Sequence, residues 1–433
     1  MNARHDSTPP SSLQAGRRTF LGNTAALMIM QAVKFLFPLI TLPYLARMLE
    51  PDAYAVRAYV VSYMVFIQTL IDFGFAQYGT KLIAENAHDP QAMSSISTDV
   101  FVAKLLLALL GAATTLASAA FIPILGDNLA FVALSFGAIA AKSLLPDFVL
   151  QGLENMTAIA VRFSITQVIA VILIFLFVKE PSQLNLVAAF EGIASVVALA
   201  WTVAYLKGNY CIGIGRISAS KTRKIIAGST PFFISLAASA LMSSTVTVLM
   251  GVFQTDALVI SCWTIATTVI QGVQALWQPV TRSLFPHMVK RHDISLARKL
   301  LIVGTPIAIA IAAACHFAAS WIVLVMGGEE YVAGSYILSY AVLVLPFSYP
   351  IAVIGYPITG AIGRASELSA CIGIAGGMQL VFLVAAGLAG AFSVGVALIA
   401  RIGSEALLLV LEAFVAHRTI ERVRERQPIG KTS

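Results

Sequence analysis

The chain has 433 residues, 58% of them hydrophobic and only 11% charged, with a mean hydropathy of +0.86. A soluble domain carries about 25% charged residues, so a chain this apolar lacks the surface that water requires, and the bilayer is its solvent. The net charge of +7 then reads as an orientation signal and not as a nucleic-acid footprint, because basic residues gather in cytoplasmic loops of membrane proteins.

Residues 1–19 form a polar tail. Arg17-Arg18-Thr19-Phe20-Leu21-Gly22 looks like a twin-arginine export signal. The apolar run behind it is as long as a permanent span, however, and no small-residue cleavage site follows promptly. The arginine pair is therefore read as an orientation anchor. A membrane helix needs about 20 mostly apolar residues to cross about 30 Å of hydrocarbon. About twelve such runs follow, near 20–42, 54–77, 99–125, 128–150, 157–178, 184–206, 229–253, 256–279, 300–325, 331–357, 368–388 and 391–415. No ten-residue alternating segments occur, which excludes a membrane barrel. The expected fold is all-α: two six-helix bundles, 20–206 and 229–415, joined by a cytoplasmic linker at 207–228 and followed by a basic tail at 416–433.

Three stretches of five basic residues set the orientation. They are Lys207, Arg216, Lys221, Arg223 and Lys224; Arg282, Lys290, Arg291, Arg298 and Lys299; and Arg418, Arg422, Arg424, Arg426 and Lys431. All fall on one side if both termini are cytoplasmic. The opposite loops hold only Arg47, Arg57 and Lys179, an imbalance of about seven to one. The halves also echo each other. Gly22-Asn23-Thr24 opens the first run and Gly228-Ser229-Thr230 the seventh, while Asp52-Ala53 and Asp256-Ala257 follow those runs. Halves with an even number of spans share one orientation, so the expected repeat is parallel, with a pseudo-two-fold along the membrane normal.

Ionisable groups inside a bilayer cost about 2.5–3.5 kcal/mol on insertion scales, so each marks a candidate site. Lys34, Lys142 and Arg401 suggest a positive cavity for an anionic group such as phosphate, with Arg suited to bidentate contact and Lys to a point charge. The carboxyls of Asp72, Asp147, Glu191 and Glu405, with His316, are candidates for proton coupling. Gln271, Gln274 and Gln278 have helical spacing and, with Gln31, are candidates to line a hydrated path. Structural alternatives stand beside these: Lys34 paired with Asp72, Lys142 or Lys104 snorkelling to the interface, Arg401 neutralised by Glu405 one turn on, and His316 as a packing residue. Glu412 is expected in solvent near the inner end. Pro38 and Pro43 close the first run, and Pro346, Pro350 and Pro357 break the tenth. The four cysteines form no CxxC pair, no metal or organic cofactor is implied, and Walker A, HExxH and GxSxG motifs are absent. Coupling to H+ or Na+ is the remaining energy source.

Several segments carry a family resemblance. Pro38-Leu39-Ile40-Thr41-Leu42-Pro43-Tyr44-Leu45-Ala46-Arg47-Met48-Leu49, then Pro51-Asp52-Ala53-Tyr54, resembles the first loop of Wzx-type polysaccharide flippases. Asp72-Phe73-Gly74-Phe75 with Gly79-Thr80-Lys81-Leu82-Ile83-Ala84 resembles the exit of their second helix. Pro146-Asp147-Phe148 with Gln151-Gly152-Leu153-Glu154-Asn155-Met156 is similar to the PDWFFQGLEKM segment of O-antigen flippases. Pro279 with Ser283-Leu284-Phe285-Pro286 resembles the exit of their eighth helix. Departures are Glu50 for the usual Gly, Ala55-Val56 for a Gly-containing pair, and Val149-Leu150 for aromatics. The resemblance implies the multidrug/oligosaccharidyl-lipid/polysaccharide exporter superfamily, with a cationic cavity between two bundles and alternating access. The implied cargo is an undecaprenyl-diphosphate-linked oligosaccharide flipped across the bacterial inner membrane. Membrane lipids, and a polysaccharide polymerase with a chain-length regulator, are the expected partners. An organic-cation antiporter of the related drug-exporter family is the alternative; a membrane glycosyltransferase is disfavoured because the loops are too short for its soluble motifs.

Overall fold

A computed structural model of the protein describes residues 12–426 except 214, 216, 255, 292–293 and 361–363. Within its helices the side chains of 12–29, 31, 32, 35, 282, 286, 287, 289–291, 365 and 419–426 lie outside that description. The described chain is helical, without strands, as it must be where lipid offers backbone groups no partner.

The longest helix, Ser12–Asp72, is two segments meeting at Glu50, where φ 57° and ψ 170° leave the helical region. These segments are α1 (12–49) and α2 (51–72). Nine long helical stretches follow, with shorter helices such as Phe75–Glu85 and Gln278–Arg291 between them: α3 (Pro90–Phe121), α4 (Leu129–Gly152, interrupted at 144–146), α5 (Met156–Phe177), α6 (Leu184–Tyr210), α7 (Ala219–Phe253), α8 (Ala257–Ala275), α9 (Ile294–Phe317), α10 (Glu329–Gly360) and α11 (Ala365–Leu388). The last, α12, is Val394–Arg426. Among the described residues eleven helical stretches are long and apolar enough to cross a membrane, and the first of them contains the Glu50 break.

Local chemistry sets the helix ends. Asp89 caps α3 by accepting from the amides of Gln91 and Ala92 at 2.9 and 3.0 Å, with Pro90 in the first turn. Asp256 caps α8 through Leu258 N at 2.9 Å. Both flanking helices reach into the expected 207–228 linker: α6 runs to Tyr210 and α7 starts at Ala219. Its basic flanks extend the helices past the apolar region, since a helix does not have to stop at the membrane surface. Buried Asp99 on α3 receives the amide of Ser218 at 3.1 Å and the hydroxyl of Thr222 at 3.2 Å, and so fixes the start of α7. Pro38 and Pro43 do not end α1, which runs helically to Glu50.

The halves meet at both ends. At the end opposite the 211–218 link, one apolar core joins Leu45, Leu49, Tyr54 and Tyr59 to Ile260, Trp263 and Tyr331. Arg47 there donates to Val325 O at 2.7 Å, Tyr331 to Ala46 O at 2.8 Å, and Ser261 to Pro51 O at 2.9 Å. At the link end Phe73 stacks on Phe233, with centroids 4.3 Å apart. Gly74 lies so close to α7 that a Cβ would stand 2.5 Å from Phe232 Cβ, and its φ of 76° is open to glycine at no steric cost.

As its prolines predict, α10 is broken. Residues Ile354–Gly360 form a π-type turn around Pro357, and Gly355 takes φ −56° and ψ −110°. Proline denies the ladder an amide and clashes with the preceding turn, so the helix reforms with wider bonding.

Candidate functional site

Each half holds its own cavity, and the two differ in charge. The first, about 800 Å³, lies among α1 to α6, with Leu236 of α7 at its edge. Its wall carries Lys34, Lys104, Lys142 and Arg162 together with Asp72, Asp147 and Glu191. All three acids are already paired. Asp72 lies 3.7 Å from Lys104 and accepts from Gln68 at 3.3 Å. Asp147 takes the Arg162 fork at 2.5 and 2.8 Å. Glu191 lies 3.8 Å from Arg57. The acids therefore leave the charge of Lys142 uncancelled: its side chain is exposed and forms no ion pair among the described residues. Lys34 stands over the Phe163 ring at 5.4 Å, a cation–π contact.

The buried cations hold the wall in shape. Lys104, only 5% exposed, donates to Ser143 O as well as facing Asp72. It does not snorkel; the break at 144–146 brings a backbone carbonyl within its reach, which replaces water. Lys104 thus stands beside Asp72, the acid that the sequence suggested as a partner for Lys34. Arg162, 5% exposed, bridges α4 to α6 by adding Thr202 Oγ1 at 2.7 Å to its Asp147 contacts. Such a bidentate pair fixes direction as well as distance. The sequence reading did not single out Arg162, although it is the one charged residue in Met156–Phe177, an apolar helix of mean hydropathy 2.4. That isolation was the available signal.

The second cavity, about 670 Å³, lies among α7, α8, α10, α11 and α12. Its described wall has two acids, Glu405 and Glu412, and no cation, with Gln274, Gln278, Trp277 and Tyr356 beside them. Arg401, expected to share a cavity with Lys34 and Lys142, is not among the described residues lining either one. It sits one turn from Glu405, bonding Glu405 Oε1 at 2.7 Å and Met242 O at 2.8 Å. Its charge is consumed by its own helix and by α7, so the expectation of a single three-cation cavity is corrected to a basic cavity and an acidic one. Glu412, expected in solvent, is 2% exposed because α10 bends over it at the 354–360 turn.

The remaining candidates separate from these walls. Gln274 and Gln278 line the second cavity, whereas Gln271 is exposed and lines neither. Gln31 lies outside the side chains described. His316 on α9 meets Ser339, through the carbonyl at 2.8 Å and the hydroxyl at 2.9 Å, and packs edge-on to Tyr340. That contact joins α9 to α10, away from both cavities.

Residues 20–292 match the family described as "Polysaccharide biosynthesis protein". Two curated relatives are each described as "Putative O-antigen transporter". The one from Escherichia coli (strain K12) is 23% identical over 266 residues, covering 61% of this chain and 64% of its own length. The one from Shigella dysenteriae is 24% identical over 341 residues, covering 77% of this chain and 84% of its own. Among solved structures, "Lipid II flippase MurJ, inward closed conformation" superposes with a TM-score of 0.70 at 12% identity, over 95% of this chain and 93% of that one. An inward-facing multidrug resistance MATE family transporter of the MOP superfamily gives 0.68 at 13% identity, over 92% and 99%. At these identities the structures establish the two-lobed, all-helical fold.

Proposed function

Because the chain belongs to the polysaccharide biosynthesis protein family, we propose that it is a flippase for an undecaprenyl-diphosphate-linked oligosaccharide. It moves this cargo across the bacterial inner membrane by alternating access, for assembly of O-antigen, capsule or exopolysaccharide. Both termini face the cytoplasm, which places the 211–218 link and its basic flanks inside. A polymerase and a chain-length regulator act on the product outside. Transport draws on a gradient of H+ or Na+.

One observation carries the reading: a membrane-embedded cavity of about 800 Å³ whose acids are each held by a cation, leaving the charge of Lys142 for an incoming anion. A diphosphate meets Lys142 and Lys34 as point charges. Arg162 and Lys104, locked to Asp147 and Asp72, keep the wall from collapsing when the cavity is empty. Gln77, Gln151 and Gln167 add amide groups suited to sugar hydroxyls, while the polyprenyl tail stays in lipid. The organic-cation alternative wants the opposite polarity in this cavity.

The test is complementation of a deletion strain. Lys142→Glu is expected to abolish surface polysaccharide while the full-length protein reaches the membrane in normal amount. Normal polysaccharide in that strain overturns the cavity assignment. A deletion that alters drug susceptibility but leaves polysaccharide intact overturns the flippase reading in favour of the antiporter.

A further inference from the structure

We propose that the sugar held beside the diphosphate in the first cavity is uncharged, and that a sugar carrying a carboxylate there is rejected; this rests on the flippase reading and adds to it the charge of the cargo. The wall charges can be counted without regard to which groups are paired. Among the described residues the wall carries four cations, Lys34, Lys104, Lys142 and Arg162, and three acids, Asp72, Asp147 and Glu191. Arg57, 3.8 Å from Glu191, is a fifth cation. Five against three leaves a surplus of two positive charges. Residues 19–33, the stretch of α1 before Lys34, contain no ionisable side chain. The basic helix Gln278–Arg291 packs against α8 and α10, in the other half.

A diphosphate esterified at both ends keeps one ionised oxygen on each phosphorus, about two negative charges near neutral pH. It matches the surplus and consumes it. A carboxylate on the adjoining sugar then meets no remaining cation, and a charge taken out of water without a counter-charge is costly. The amides of Gln77, Gln151 and Gln167 can donate hydrogen bonds to it but bring no charge.

The oxygens of the wall add a second reason. Thr166 donates its hydroxyl proton to Arg162 O at 3.0 Å, and Ser195 donates to Glu191 O at 2.8 Å. Both residues line the cavity, so what each hydroxyl has left to offer is lone pairs. Glu191 is the most loosely held of the three acids. Its contact with Arg57, at 3.8 Å, is too long for a hydrogen bond, and its side chain is 43% exposed. Its oxygens therefore remain acceptors. Sugar hydroxyls donate to such groups, whereas a sugar carboxylate only accepts and is repelled by them.

The experiment measures binding to the full-length protein in lipid nanodiscs by native mass spectrometry. Two synthetic probes, undecaprenyl-diphosphoryl-glucose and undecaprenyl-diphosphoryl-glucuronic acid, differ by one carboxylate; undecaprenyl diphosphate without sugar is the third. Wild-type protein is expected to favour the glucose lipid over the glucuronic acid lipid by about tenfold, because like charges set together in a binding site exclude a partner. Glu191→Gln removes a negative charge from the wall and is expected to narrow that preference to about threefold or less. Gln167→Lys adds a cation to the same wall and is expected to narrow it likewise, which keeps the test open where Glu191→Gln does not fold. Equal binding of the two sugar lipids, a preference for glucuronic acid, or a wild-type preference that neither variant moves overturns the proposal and leaves the flippase reading standing. Failure of all three lipids to bind, undecaprenyl diphosphate included, overturns the flippase reading itself.

Discussion

The two halves handle buried charge in opposite ways. Around the first cavity the ion pairs tie one helix to another: Asp72 to Lys104 joins α2 to α3, and Glu191 to Arg57 joins α6 to α2. Arg162 on α5 reaches both Asp147 at the end of α4 and Thr202 on α6. In the second half Arg401 and Glu405 lie on a single helix, and Glu412 keeps an unpartnered oxygen. Pairs between helices resist relative motion, whereas a pair within one helix leaves that helix free to shift. The contrast assigns a stiff, preorganised wall to the basic cavity and the mobile element, with its broken α10, to the acidic one.

Arg162 offers the largest test of that contrast. Its side chain is 4% exposed, and removing it strands Asp147 in the wall. Breaking a buried pair by deleting one partner costs about 3–5 kcal/mol, so Arg162→Ala is expected to lose about that much in an SDS unfolding titration. Replacing both partners together, Arg162→Met with Asp147→Leu, is expected to recover most of the stability while transport stays lost. A loss below about 1 kcal/mol in the single variant, the range of an exposed pair, would show that the first half is no stiffer than the second.

What the sequence disclosed, and what it withheld, follows the same division. Hydropathy exposes the spans because length and apolarity are one-dimensional properties, and Pro346, Pro350 and Pro357 announce the break in α10 for the same reason. Partners are three-dimensional. Fifteen positions separate Asp147 from Arg162, and no periodicity brings them together; the interruption at 144–146 does so by turning the chain back. Lys104 looked close enough to an interface to snorkel, yet that interruption offered it the Ser143 carbonyl. Arg401 and Glu405 were readable as a pair because a four-residue spacing is local. Glu412 was misplaced because its burial comes from α10, more than fifty positions away in the chain and bent by its own prolines. Local chemistry was legible, and chemistry made by packing was not.

A smaller effect is expected at the breaks themselves. Each half interrupts a helix, but the second does so at Gly355 and the first at Glu50, with φ 57° and ψ 170°. That region belongs almost solely to glycine and costs another residue about 1–3 kcal/mol. Glu50 is exposed, so its side chain has little packing to set against the strain. Glu50→Gly, the residue that the flippases it resembles carry here, is expected to stabilise the protein by about 1 kcal/mol or more, less the added freedom of the unfolded chain. A destabilisation in the same titration would mean that the carboxylate holds a contact that compensates for its backbone.

The smallest expected effect is the interaction between Arg401 and Glu405, and it decides whether the second half is as loosely tied as its geometry indicates. Their side chains are 20% and 8% exposed, and Arg401 also reaches Met242 O on α7. An i,i+4 pair contributes about 0.3–0.5 kcal/mol in water, and partial burial raises that figure modestly. A double-mutant cycle with Arg401→Gln and Glu405→Gln is expected to give a coupling below about 1 kcal/mol, with most of the Arg401 effect persisting when Glu405 is already gone. That persistence would place the contribution of Arg401 in the bond to α7 and leave the carboxyls of α12 free to shift. A coupling as large as that of Arg162 with Asp147 would instead make Arg401 and Glu405 a rigid unit. The acidic cavity would then be as fixed as the basic one, and the turn at Gly355 would have nothing beside it that moves.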